Sequence, residues 1–144
     1  MFKVSPILLI IISVLFGCTS NTVYEKKTNN QDIEYNSRII GDWKVEIEEN
    51  YTKIFAIDTY SKDGKLHSRG VVITPKNTIY VEMFGKWEIK EGFLITTLQK
   101  TTHPEILPVG YILKEKIISI DDNTFKYLTK KGEQSSVTRI KPQS

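Results

Sequence analysis

The chain has 144 residues, 20 basic and 17 acidic side chains for a formal charge of +3, and 40% hydrophobic residues. That is one domain's worth of chain with enough apolar surface for a core, which excludes wholesale disorder. The small basic excess lacks the clustered Lys and Arg of a phosphate-neutralising surface, so no nucleic acid is expected as a partner.

Met1-Phe2-Lys3 holds the only charge of residues 1–17, and an apolar run from Ile7 to Phe16 follows, broken only by Ser13. This is the charged start and apolar middle of a secretory signal. As a helix, ten residues reach about 15 Å, roughly half a hydrocarbon core, so removal rather than permanent spanning is expected. Leu15-Phe16-Gly17-Cys18 resembles the bacterial lipobox. The resemblance implies cleavage before Cys18, diacylglycerol on its thiol and a further acyl chain, such as palmitate, on the new amino terminus. Two or three chains hold a protein stably at a bilayer where one does not. The membrane partner is therefore engaged through lipidated Cys18. Thr19, where inner-membrane retention uses Asp, implies an outer-membrane lipoprotein facing the periplasm in a host with two membranes. In a host with one, it implies the outer face of the cytoplasmic membrane. Cys18 is the sole cysteine, so no intramolecular disulfide or thiolate cluster can form.

Residues 18–38 hold few apolar side chains, chiefly Val23, Tyr24, Ile33 and Tyr35, among Asn, Thr, Lys and Glu. Such a stretch buries too little to offset its ordering entropy and reads as a flexible tether, with room for one short helical turn near Asp32 to Ile40. Residues 39–141 form the folded domain. From Gly41 the pattern has period two: Trp43, Val45 and Ile47 alternate with Lys44, Glu46 and Glu48.

Further strands are expected over 53–60, 66–74, 78–84, 85–90, 93–100, 110–120, 124–129 and 133–140. Asp63-Gly64, Pro75-Lys76-Asn77, Glu91-Gly92, Asp121-Asp122-Asn123 and Lys131-Gly132 supply turns between them. These nine candidates, without an amphipathic helix of ten residues, predict an all-β fold. The expected form is an antiparallel meander closing into a small barrel of eight or nine strands, preceded by the signal helix and tether. Closure removes the unpaired edges of an open sheet and hides its apolar face.

Gly41-Asp42-Trp43 at the first strand and Arg139 in the last resemble the lipocalin-like, or calycin, group, as found in small bacterial lipoproteins of unassigned function. The resemblance spans about Ile39 to Ile140 and includes Gly85-Lys86-Trp87 followed by Phe93-Leu94-Ile95. It implies a barrel floor built by Gly41, Trp43 and Arg139, with the guanidinium over the indole. Both tryptophans are read first as packing anchors.

Recognised catalytic motifs are missing. His67 and His103 sit in no metal-ligand spacing, and a nucleophile elbow, a phosphate loop and a dinucleotide turn are all absent from the sequence. No enzyme, metal or cofactor is expected. Glu46, Glu48, Lys114 and Lys116 read as a solvated outer face. The loop from Thr101 to Val109 carries two prolines and the apolar pair Ile106-Leu107. It reads equally as a pocket lip or partner contact and as a plug in one barrel end.

The leading expectation is a barrel that binds a small apolar or amphipathic ligand. Its interior would be lined by Trp87, Ile89, Phe93, Ile95, Tyr111 and Leu113, with Tyr80 and Tyr127 as polar handles. An interior of less than roughly 300 Å³ would count strongly against it. The alternative is a tethered protein-protein interaction module, an inhibitor or assembly factor with a filled core, contacting an envelope protein through the rim loop.

Overall fold

The computed structural model describes residues 21–142, with side chains from Asn30 onward. The signal segment 1–17 and Cys18 lie outside the described residues. One helix, α1 (Asn21–Arg38), precedes eight strands. These are β1 (Gly41–Glu49), β2 (Thr52–Tyr60), β3 (Lys65–Ile73), β4 (Thr78–Lys90), β5 (Phe93–Thr101), β6 (Ile112–Ile120), β7 (Thr124–Leu128) and β8 (Gln134–Arg139). Each pairs antiparallel with the next, and β1 meets β8 to close the barrel. The closing seam is short, Trp43 opposite Arg139 and Lys44 opposite Thr138. The Ile140 amide, 2.8 Å from the Asp42 carbonyl, adds a further hydrogen bond.

Two tight hairpins use residues at positive φ, as right-twisted strands require. Asn50 and Tyr51 (φ 48° and 67°) join β1 to β2, and Glu91 and Gly92 (φ 55° and 75°) join β4 to β5. The expected ninth strand does not exist, because residues 78–90 run as one strand. The interruption sits on its neighbour instead. Phe84 pairs with Lys100 and Gly85 with Leu98, leaving Gln99 as the extra residue of a bulge. At Gly85 the backbones come so close that a Cβ would lie 2.6 Å from the Thr97 carbonyl oxygen.

The short helical turn for which the sequence leaves room near Asp32 to Ile40 is met by the last turns of α1. From Asn30 to Arg38 the chain is helical and packs on one end of the barrel, meeting β4 and β6. Tyr35 and Ile39, four residues apart and so on one side of the chain, are both buried. The Asp32 carboxylate accepts hydrogen bonds from the amides of Glu91 (2.7 Å) and Gly92 (2.8 Å), fastening α1 to the β4–β5 turn. Asp32→Ala removes two charge-assisted bonds. Backbone exchange at Glu91, Gly92 and residues 33–38 should then speed up by about tenfold or more. Unchanged protection in hydrogen-exchange mass spectrometry would show that Tyr35 and Ile39 alone hold the helix.

This end of the barrel is its floor. Trp43, Ile39 and Leu94 are fully buried and Phe125 almost so. The Arg139 guanidinium carbon lies 4.1 Å from the Trp43 ring centroid. The terminal nitrogens of Arg139 donate to the carbonyls of Ile40 (2.8 Å) and Arg38, while the indole nitrogen of Trp43 donates to Ile39 (2.7 Å). Floor and wall thereby cap the carbonyl that ends the helix, Arg38, and the two that follow it, Ile39 and Ile40. Gly41 makes the turn from helix to strand at φ 125°, and a Cβ there would lie 2.9 Å from an Arg139 nitrogen.

Candidate functional site

Above the floor the inward-facing side chains leave a cavity of about 210 Å³. Apolar side chains from several strands form much of the wall, including Val45, Leu66, Met83, Leu98, Leu113 and Val137, and Leu107 of the β5–β6 loop also contributes. The volume is below the roughly 300 Å³ set for a ligand pocket, which counts against the expected ligand cup. It is still larger than the ~150 Å³ apolar cavity that accepts benzene.

Polar groups project into this apolar space. Asp58 and Tyr60 come from β2, Ser68 from β3, Thr96 from β5, Glu115 from β6 and Tyr127 from β7. The register carries them inward. Asp58 opposes Trp43 on one side and Ser68 on the other, and Tyr60 opposes Leu66. On β6, Leu113, Glu115 and Ile117 share a parity, while Lys114 and Lys116 face outward.

Burial raises the pKa of the Asp58 carboxyl, partly offset by a hydrogen bond from Ser68. Burial, then the neighbouring Asp58 charge, lifts Glu115 to about 7. Tyr60 is pushed well above the ordinary phenol value by burial and then by Asp58 and Glu115. Burial also raises Tyr127, opposed by a Ser135 hydrogen bond, with smaller raising effects of Glu115 and Asp58. The Tyr60 ring packs edge-on against Trp87, at 5.9 Å between centroids. Among the described residues no Lys, Arg or His lines the cavity.

The expected lining residues divide. Tyr111, Leu113 and Tyr127 do line the cavity. Trp87 and Ile89 are buried below it as core, and the Trp87 indole donates to the Ser61 carbonyl at 3.1 Å. Phe93 and Ile95 belong to the outer wall. Leu94, Thr96 and Leu98 take the inward positions of β5, and the Lys114 ammonium covers the Phe93 ring at 4.3 Å. Tyr80, expected as a polar handle, is 75% exposed on the outer face opposite Val71.

Leu107 of the proline-containing loop reaches the cavity, whereas Ile106 and Val109 face solvent, so the segment is both lip and partial cover. Glu46 and Glu48 pair outside with Lys44 and Lys53. His67 stacks on Phe84 and bonds Glu82, and His103 bonds Glu105. Among the described residues no three His, Cys, Asp or Glu side chains form a group able to hold a metal ion. No helix there is long and apolar enough to cross a membrane.

Asp58, Tyr60 and Glu115 were not anticipated as site residues. Glu115 carried a readable signal, an acid at the apolar parity between Leu113 and Ile117. Asp58 carried none, because both faces of β2 hold apolar side chains. No protein-family model matches the chain, and the comparison with curated proteins gave no match.

Proposed function

We propose that this is a membrane-anchored envelope lipoprotein whose lipocalin-like barrel takes up a small apolar or amphipathic ligand. The lining carries the reading, an apolar wall with a few converging polar groups, although the volume of about 210 Å³ is below the usual ligand-pocket range and counts against it. The cavity's size favours a single-ring molecule over a lipid. The Arg139 guanidinium over Trp43 and the turn at Gly41 support the lipocalin-like assignment, and the Met1 to Cys18 segment supports the anchor.

Calorimetric titration of the full chain in detergent with 2-phenylethanol tests the cavity. Saturable binding that Leu113→Trp abolishes is expected. Absence of binding, or binding indifferent to the added indole, overturns the uptake reading. In the native host, labelled palmitate should mark the wild type and spare Cys18→Ser; an unlabelled wild type removes the anchor.

A second reading as a tethered interaction module is favoured by the exposed apolar side chains Ile106 and Val109 on the rim. A photo-crosslinker at position 106 should then recover one envelope protein reproducibly, and diffuse or absent crosslinks dismiss it.

A further inference from the structure

The cavity's polar lining is unbalanced in sign: two carboxyl groups, three phenols and the hydroxyls of Ser68 and Thr96, with no cationic side chain among the described residues that line it. Asp58 on β2 and Glu115 on β6 both line the cavity, and the Asp58 charge disfavours that of Glu115. Two desolvated like charges without a counter-charge are costly unless neutralised by protons or by a cation. The Tyr60 side chain, only 6% accessible, lines the same cavity. A phenol oxygen that faces a cavity can accept a hydrogen bond from a ligand atom.

We propose that the barrel takes a small organic cation, a protonated amine on a compact apolar body, with its ammonium held by Asp58 and Glu115 and accepted by the Tyr60 hydroxyl. The proposal rests on the uptake reading above and names the chemical class of its ligand. An ammonium supplies three donors, and two carboxylates and a phenol oxygen can receive them. Its apolar body would pack against Val45, Leu66, Leu113 and Val137. The space suits one aromatic ring with a short side arm. A bare divalent ion is a poorer occupant: calcium takes six to eight oxygens and magnesium keeps several waters, whereas these walls are largely apolar. An anion would meet the two carboxyl groups with no opposing charge.

The probes are 2-phenylethylamine, its neutral near-isostere 2-phenylethanol and the anion 3-phenylpropanoate, each titrated into the full chain in detergent at pH 7.5. The amine should bind about tenfold or more tighter than the alcohol, the advantage of charge-assisted over neutral hydrogen bonds, and the anion least well. Asp58→Asn with Glu115→Gln should erase that preference while alcohol binding persists, which also shows that the variant is folded.

Equal or tighter binding of the alcohol by the wild type overturns the cation proposal and leaves the uptake reading standing. An amine preference that survives the double substitution overturns it as well. Binding of none of the three probes overturns both. Tyr60→Phe should weaken the amine selectively, and an equal loss for amine and alcohol would assign Tyr60 to packing alone.

Discussion

Trp43→Ala should lower the unfolding free energy by about 3–5 kcal/mol, the range for removing a fully buried large aromatic side chain. The side chain does more than fill volume. It carries the Arg139 guanidinium on one face, meets Phe125 edge-on at 6.0 Å and donates to Ile39. Its loss therefore frees the helix end as well as opening the floor. Trp43→Phe keeps much of the apolar contact but not the indole donor, and should cost less. Arg139→Met should lie between the two, since it leaves the Arg38 and Ile40 carbonyls without their guanidinium partner. Chemical denaturation with the three variants side by side checks the order. Equal, small losses in all three would mean that the barrel does not depend on this cluster.

Glu115→Gln should raise stability at pH 8 and do little at pH 4. The Glu115 pKa is lifted from an ordinary 4.5 to about 7 by burial and by Asp58. Between those values the folded chain retains a proton that the unfolded chain has released, so stability falls as pH rises through the window. Above pH 7 the folded state bears an ionised, poorly solvated carboxylate. With some of that charge open to cavity solvent, the penalty is about 2 kcal/mol.

Asp58 is shifted in the same direction and adds to the fall from the acid side. The wild type should therefore unfold more easily at pH 8 than at pH 5, and Glu115→Gln should flatten the difference. Parallel stability profiles for the two proteins between pH 5 and 8 would show that Glu115 titrates normally.

The strands were legible because one-sided alternation is a strong signal where the outer face is charged. In β1, Lys44, Glu46 and Glu48 leave no doubt that Trp43, Val45 and Ile47 face inward. The same rule misplaced Phe93 and Ile95, because β5 carries apolar groups on both faces and its outer Phe93 is sheltered by Lys114 from β6. That shelter depends on strand pairing and cannot be seen along one strand. The sequence leaves room for a helical turn near Asp32 to Ile40, but its docking was not legible for a related reason. Its buried positions, Tyr35 and Ile39, are too few to make a periodic pattern, and Asp32 gains its role only once the β4–β5 turn presents two amides to it. The cavity acids show the same limit. Lys114 and Lys116 already implied an inward Glu115, whereas only the closed barrel brings Asp58 near it.

The barrel has two unlike ends. The α1 helix is stapled beneath the floor, and the loop bearing Leu107 stands at the opposite, open rim. Under the proposed uptake and anchoring, solute access and attachment through the N-terminal side would fall at separate poles. Grafting the protein onto a bead, a sensor chip or a fusion partner through that side should leave solute exchange unobstructed, whereas cargo fused into the 101–111 loop should slow it.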